Sequence, residues 1–262
     1  MYTLITGASS GIGKALAQEC ASRGMNILLV ALPGEELCAI EKQLRETYKV
    51  ACYSFGADLS SNTAADAVYN WVKENNYAVN MLLNNVGVGS KGAFGKISPE
   101  FYCKQINLNV VTTCLITRKF VDELIQHKPS FIMNMGSMGG FFCLPEKVVY
   151  AATKSFIYSF SKGLRMELEP LGVSVCVVCP GGINSNDNTT TSNKSLKGIA
   201  KLSVLNPDEL AKEVIDRMLK GESVIIPGGW NRFIYGLSKC IPSFIQNILV
   251  RRAFKRLNKH AY

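Results

Sequence analysis

Histidine is scarce in this chain: of 262 residues, only His127 and His260 are histidines. With so few imidazoles and no His/Cys/Asp cluster at ligand spacing, the sequence offers no metal site. Long apolar runs are missing too, since none approaches the roughly 20 residues a membrane-spanning helix needs. The first apolar run, Tyr2–Ile5, lacks a basic flank and leads straight into a glycine loop, unlike a secretory leader. Acidic residues are absent from Trp230 to Tyr262, where seven Lys or Arg stand. Cysteine is not scarce, but its nine copies are odd in number and lie mostly inside apolar runs, as Cys114 does between Val110 and Ile116. That usage reads as reduced, buried thiol in a cytoplasmic protein and not as a disulfide framework.

What is present is a globular composition, 47% hydrophobic and 19% charged. The length suits one large α/β domain with a full core. A net charge of +9 favours anionic partners in general. Much of that excess falls after Trp230, however, and neither a nucleic-acid motif nor an aromatic stacking array accompanies it, so nucleic acid is not an expected partner.

Short apolar runs alternate with longer amphipathic ones. Strands are predicted at Tyr2–Thr6, Asn26–Val30, Ala51–Gly56, Met81–Asn84, Phe131–Met135, Val173–Val178 and Val224–Ile226. Their continuous apolar character suits strands covered on both faces. Helices are predicted at Gly13–Gly24, Glu35–Tyr48, Ala64–Asn75, Pro99–Gln126, Tyr150–Glu169 and Pro207–Leu219. This alternation implies right-handed crossovers and a doubly wound parallel α/β sheet of the Rossmann type. Two segments break the pattern: a Ser/Thr/Asn-rich loop over Ile183–Ala200, and the basic stretch after Trp230. The expected organisation is therefore one domain over residues 1–229 and a basic extension over 230–262.

Between the first strand and the first helix stands Thr6-Gly7-Ala8-Ser9-Ser10-Gly11-Ile12-Gly13. Glycines let backbone approach a pyrophosphate, and the helix N-terminus offers free N–H groups and partial positive charge. The spacing is Gly-x-x-x-Gly-x-Gly, not the commoner Gly-x-Gly-x-x-Gly. A ligand-free glycine turn is the competing reading.

Further along stand Ser137, at the end of a predicted strand, and Tyr150-Ala-Ala-Thr-Lys154. Tyr150 and Lys154 are four apart on a predicted helix and share a face. An ammonium near a phenol favours phenolate, so the expectation is a tyrosine whose pKa is lowered toward working pH, a usable acid or base. Asn84-Asn85-Val86-Gly87 and Pro180-Gly181 occur in order around these groups. Over residues 2 to 229 the set resembles the short-chain dehydrogenase/reductase family, and within it most the branch with 3-ketoacyl reductases and 17β-hydroxysteroid dehydrogenases.

The resemblance implies hydride transfer between a nicotinamide cofactor and a carbonyl or secondary alcohol, with Tyr150 as acid/base, Lys154 beside it and on the nicotinamide ribose, and Ser137 orienting the substrate oxygen. It also implies an Asn linked through water to the lysine. Asn107 and Asn109 both qualify, and Asn109 fits the family register better. Implied cofactor contacts are Gly7, Ser9, Ser10, Gly11, Ile12, Gly13, Asn85, Gly87, Tyr150, Lys154, Pro180, Gly181, Ile183 and Ser185, with Asp58 and Leu59 at the adenine. Asp58 reads equally as a turn or cap aspartate. After the second strand Ala31-Leu32-Pro33-Gly34 carries no acid to repel a 2′-phosphate, and Lys14 lies nearby, which tilts the expectation from NAD(H) to NADP(H).

Beside Ser137, the run Met138–Pro145 suggests an apolar wall for a lipophilic carbonyl substrate, 3-oxoacyl or steroid-like by analogy; plain core packing is the alternative. The family also implies a homo-oligomer paired through the helices over Pro99–Gln126 and Tyr150–Glu169. Over Ser243–Leu257 a basic amphipathic helix is predicted, which either lies on an anionic membrane surface or packs on the domain or a second subunit. Cys176-Val-Val-Cys179 has redox-motif spacing but lies in a predicted strand, so it reads as structural. A catalytically idle dinucleotide sensor or scaffold would keep the fold and lose Tyr150 or Lys154; both are present.

Overall fold

The continuous apolar runs form seven parallel strands: β1 (Tyr2–Thr6), β2 (Asn26–Ala31), β3 (Cys52–Gly56), β4 (Val79–Asn84), β5 (Ser130–Met135), β6 (Val173–Val178) and β7 (Val224–Ile225). The computed structural model describes residues 1–185, 190–191 and 202–258. The strands make one sheet in the order β3-β2-β1-β4-β5-β6-β7. Every pairing is parallel. The doubly wound sheet expected from the alternation is the one found.

Neighbouring residues along each strand serve opposite layers. Leu4, Leu28, Leu82, Ile132 and Val175 face a core closed by α3 (Ala64–Glu74) and α5 (Thr112–Gln126), through Val68, Ile116, Phe120 and Leu124. Ile5, Leu29, Leu83, Met133 and Cys176 face a second core closed by α1 (Gly11–Ser22), α2 (Glu35–Tyr48) and α7 (Pro207–Leu219), through Leu16, Leu37, Leu210 and Val214. Full burial of each such side chain contributes about 1.5–3 kcal/mol. Helix α6 (Val148–Leu168) runs beside β6 and completes the site-bearing half.

Beneath the site runs a buried polar chain. The Asn84 amide donates to Thr117 Oγ1 and to Asn134 Oδ1, both at 2.9 Å. Asn134 donates onward to Ser161 Oγ at 3.0 Å. Asn84 and Asn134 are register partners across β4 and β5.

The single helix predicted over Pro99–Gln126 is divided. Helix α4 (Pro99–Ile106) and α5 are joined by a π-helical turn, Asn107–Val111. A π turn takes an extra residue into the helix and is a frequent mark of functional positions. Here it carries Asn109, whose side chain is buried.

After β7 come α8 (Gly229–Cys240) and α9 (Ser243–Asn258). Helix α8 is tied to the sheet-bearing body: buried Asn231 donates to Ser203 O at 3.1 Å and Pro227 O at 2.9 Å. Its Tyr235 packs on Phe141 and meets the Tyr158 hydroxyl at 3.2 Å. Gln246 of α9 folds back and donates to Ser238 O and Ile241 O. Among the described residues no helix is long and apolar enough to cross a membrane. All nine cysteines are free. Cys20, Cys52, Cys176 and Cys179 are buried as the apolar runs suggested, but Cys38, Cys103, Cys143 and Cys240 are exposed, on helix surfaces or loops whose apolar neighbours turn the other way.

Candidate active site

The sheet order reverses between β1 and β4, so the chain leaves their C-terminal ends in opposite directions and opens a crevice. In it lies a cleft of about 370 Å³. Of the residues singled out from the sequence, Gly7, Ser9, Ser10, Gly11, Ile12, Gly13, Asp58, Leu59, Asn85, Gly87 and Ser185 line it. Ala31 and Leu32 of the segment after the second strand and Val86 of the Asn84–Gly87 motif line it too, and Ala57, Lys104 and Leu108 join them without having been singled out.

Two glycines here have no substitute. Gly7 has φ +67°, and a Cβ on Gly13 would stand 2.0 Å from the Gly7 carbonyl oxygen. The loop therefore folds tightly onto the start of α1. Ser10, the N-cap, makes no side-chain cap bond, and the first turn of α1 has no acid. Its N–H groups keep their partial positive charge for an anion. The loop is anchored from β4: the Asn85 amide donates to Thr6 O at 3.0 Å and Gly7 O at 3.2 Å. The Thr6 hydroxyl in turn accepts from the backbone N–H groups of Asn85 and Val86. This cradle of glycine and uncapped helix N-terminus fits a dinucleotide pyrophosphate.

Asp58 is exposed at the cleft edge. One of its oxygens accepts from both the N–H and the hydroxyl of Ser60, and those bonds, with a smaller effect of Lys104, hold its carboxyl below the usual range. Asp58 thus closes a local turn and also lines the cleft. On the other side of the crevice, a Cβ on Gly11 would meet the Ser185 carbonyl oxygen at 3.0 Å. Ile183 forms a parallel bridge with Leu205, Pro180 O accepts from Met138 N at 2.9 Å, and Gly181 lies against Ser203 and Asn231. Of the loop over Ile183–Ala200, residues 186–189 and 192–200 lie outside the described residues.

The second half of the site gathers where β5 ends. Ser137 caps the short turn Met138–Phe141, its Oγ accepting from Gly139 N at 3.0 Å. Gly140 of that turn lies against the Lys154 backbone, where a Cβ would stand 2.7 Å from the Lys154 carbonyl carbon. This contact sets Ser137 against α6. The Tyr150 hydroxyl is hydrogen-bonded to Ser137. Lys154 is buried, donates to Met135 O at 2.7 Å, and lies 5.9 Å from the centre of the Tyr150 ring.

Burial lowers the lysine from 10.5 to about 8. The expected lowering of Tyr150 is not found in the chain by itself. Burial pushes its hydroxyl up, and the Ser137 bond offsets only part of that. The ammonium points to the Met135 carbonyl, so its field does not overcome the desolvation of the phenol.

The two asparagines separate cleanly. Asn109 Oδ1 accepts from Val88 N at 2.8 Å, and its Nδ2 donates to Val88 O and Thr153 Oγ1, each at 3.0 Å. A Cβ on Gly87 would meet Asn109 Oδ1 at 2.9 Å and Lys154 Nζ at 3.4 Å, so the asparagine and the lysine are close neighbours. Asn107 instead reaches Ser60 O at 3.4 Å, away from them. Thr153, missed in the sequence, sits inside the Tyr-to-Lys spacing and passes its own hydroxyl to Tyr150 O at 2.7 Å.

The apolar wall is only partly a wall. Met138 and Phe141 turn into a core with Ile157, Val177, Cys179 and Ile226, because α8 brings Tyr235 onto Phe141. Leu144 remains beside Ser137, 3.4 Å from a Cβ placed on Gly139. Cys176 and Cys179 are pushed up to about 12 by burial and offer no thiolate. Among the described residues no group of His, Cys, Asp or Glu is arranged to hold a metal.

Comparison with known proteins agrees with this geometry. A very-long-chain 3-oxoacyl-CoA reductase from Danio rerio is 31% identical over 183 residues, which is 68% of this chain and 58% of that protein. The chain thus spans little more than half the length of that relative. A 3-oxoacyl-[acyl-carrier-protein] reductase from Aquifex aeolicus is 28% identical over 242 residues, 87% of this chain and 96% of that protein. A short-chain dehydrogenase from Sphingobium yanoikuyae, solved in complex with NADPH, superposes with a TM-score of 0.79 at 30% identity, covering 92% of this chain and 96% of its own. The family model for short chain dehydrogenases matches residues 2–196, and the chain belongs to that family.

Proposed function

We propose that this chain transfers a hydride between a nicotinamide dinucleotide and the carbon of a carbonyl or secondary alcohol. The observation that carries the reading is the pair of hydrogen-bonded hydroxyls, Ser137 and Tyr150, above a buried Lys154, in the crevice that also holds the glycine cradle. When bound, the reduced cofactor supplies the hydride, and its oxidised form brings a positive ring that favours phenolate.

The protein's own groups do the rest. Ser137 Oγ accepts from Gly139, and its O–H, directed at Tyr150 in the chain by itself, turns to a substrate oxygen set between the two hydroxyls and holds it as charge develops there. Tyr150 gives its proton to that oxygen in reduction and takes it back in oxidation. Lys154 keeps an ammonium beneath the phenol at neutral pH. Asn109 gives both amide hydrogens to Val88 O and Thr153 Oγ1 and accepts from Val88 N, which fixes it beside Lys154, where the water-linked relay to the lysine would pass. A catalytically idle sensor has no use for this arrangement.

The finer assignments rest on separate observations. NADP(H) over NAD(H) is supported by Leu32, exposed on the cleft wall where an acid would repel a 2′-phosphate, and by Lys104 as the cation lining the cleft among the described residues. A lipophilic 3-oxoacyl or steroid-like substrate is supported by Leu144 beside Ser137 and by the names of the relatives. A homo-oligomer is supported by Leu115 on α5 and Phe156 and Met166 on α6, which leave apolar surface in water. The buried, undisulfided cysteines support a cytoplasmic setting. Residues 1–229 form the dinucleotide-binding unit in this reading, with 230–262 as an extension whose first helix is seated on it.

The test is disappearance of reduced-nicotinamide absorbance against a panel of long-chain 3-oxoacyl thioesters and ketosteroids. Tyr150→Phe is expected to lower turnover by ~10²–10⁴ and keep cofactor binding. Turnover by Tyr150→Phe at the wild-type rate would overturn the reading.

A further inference from the structure

Helices α8 and α9 carry apolar side chains that, among the described residues, nothing covers. Phe233 and Leu237 on α8 are four residues apart and exposed. On α9, Phe244, Ile245, Ile248 and Leu249 recur at helical spacing and are exposed as well. Gln246 ties α9 to the end of α8, so the two helices present these residues from one hinge-bound pair. The apolar stripe of α9 runs on into Arg251 and Arg252, both exposed and, among the described residues, without an acidic partner. Lys255 and Arg256 follow each of them at four-residue spacing, and the segment from Trp230 onward has no carboxylate side chain.

We infer that this helix pair is a docking surface for an anionic lipid bilayer. An aromatic and aliphatic face next to unpaired arginines matches the two layers of such a surface, acyl chains below and phosphate headgroups above. A nucleic acid would need the cations and leave the apolar stripe in water. A second copy of the chain would need the stripe, yet a two-fold pairing sets like patches together. With no carboxylate in the segment, the arginines of such a pair would be buried against one another. The proposal stands apart from the reaction assigned above. Its link to the site is positional, since α8 also supplies Tyr235 to the packing behind Phe141.

The intact chain is centrifuged with phosphatidylglycerol–phosphatidylcholine vesicles and with phosphatidylcholine vesicles alone. Binding is expected to the anionic vesicles only and to be lost at high salt. The double variant Arg251→Gln/Arg252→Gln is expected to bind about 25-fold more weakly, at roughly fivefold per cation. Phe244→Ser/Ile248→Ser is expected to abolish binding while the circular dichroism melt stays unchanged, because neither side chain is part of the core. Absence of binding by the intact chain overturns the proposal. So does a result in which both variants bind like wild type, or one in which the serine variant converts a dimer to a monomer in sedimentation velocity and the vesicles never bind.

Discussion

Lys154 allows a prediction on stability that needs neither cofactor nor substrate. Its folded-state pKa of about 8 lies below the ordinary value of 10.5. Between these two values the unfolded chain holds a proton that the folded chain has shed, so raising the pH through this window favours folding. Below about pH 8 both states are charged, and the folded state bears the whole cost of a buried ammonium. At about 1.4 kcal/mol per pKa unit, the drop from 10.5 to about 8 amounts to ~3 kcal/mol. The perturbation is Lys154→Met, which keeps the buried stem and removes the charge.

Urea unfolding of both proteins, followed by tryptophan fluorescence, gives the stability difference at each pH. The variant should gain ~3 kcal/mol on wild type at pH 7, less the ~1.5–3 kcal/mol lost with the charged bond to Met135 O. That difference should shrink by the full ~3 kcal/mol as pH rises from about 8 past 10.5. Cys20, Cys52 and Cys176, raised to about 12, destabilise the fold at alkaline pH in both proteins and cancel in the comparison, whereas Cys179 feels Lys154, so the comparison is repeated in a Cys179→Ala background. The pH dependence of the difference is the test. Parallel profiles from pH 7 to 11 would refute the claim that Lys154 sits in a poorly solvated site.

Three further outcomes are expected. Gly13→Ala puts a methyl 2.0 Å from the Gly7 carbonyl, so NADPH should no longer raise its melting temperature; saturation at a hundred times Kd adds ~2.7 kcal/mol to a binding-competent protein. Asn109→Ala breaks three bonds, one of them fully buried, and should cost ~2–4 kcal/mol in urea unfolding, whereas Asn107→Ala, with one bond of 3.4 Å, should stay within ~0.5 kcal/mol. Tyr150→Phe should lower kcat by ~10²–10⁴ with the cofactor Kd unchanged, read from single-turnover kinetics and a binding titration.

Much of this was legible in the chain because strands buried on both faces declare themselves as short apolar runs, and Gly7, Gly11 and Gly13 mark where backbone must approach backbone. Tyr150 and Lys154 were legible by helical spacing. Three features were not. The π turn has no sequence pattern distinct from a continuous helix, so Pro99–Gln126 read as one element until Asn109 turned inward to bond Val88. The rise in the Tyr150 pKa depends on how deeply the phenol is desolvated and on which carbonyl the ammonium chooses, and neither is a local property of residues 150–154. The division of Met138–Pro145 between wall and core hinges on Tyr235, which packs on Phe141 from more than ninety residues downstream of it.

The Asn84–Asn134 pair has a consequence for alignment of the strands. In a parallel sheet covered on both faces, sliding β5 by two residues along β4 would set apolar beside apolar again and cost little in burial. Apolar runs therefore choose the sheet but only weakly choose its alignment. The two amides meet in one alignment alone, and any other would strand a buried amide at the price of about 1–3 kcal/mol. Since Ser137 follows β5 and Asn85 and Gly87 follow β4, a buried hydrogen bond between two strands acts as the gauge that brings the two halves of the crevice level with each other.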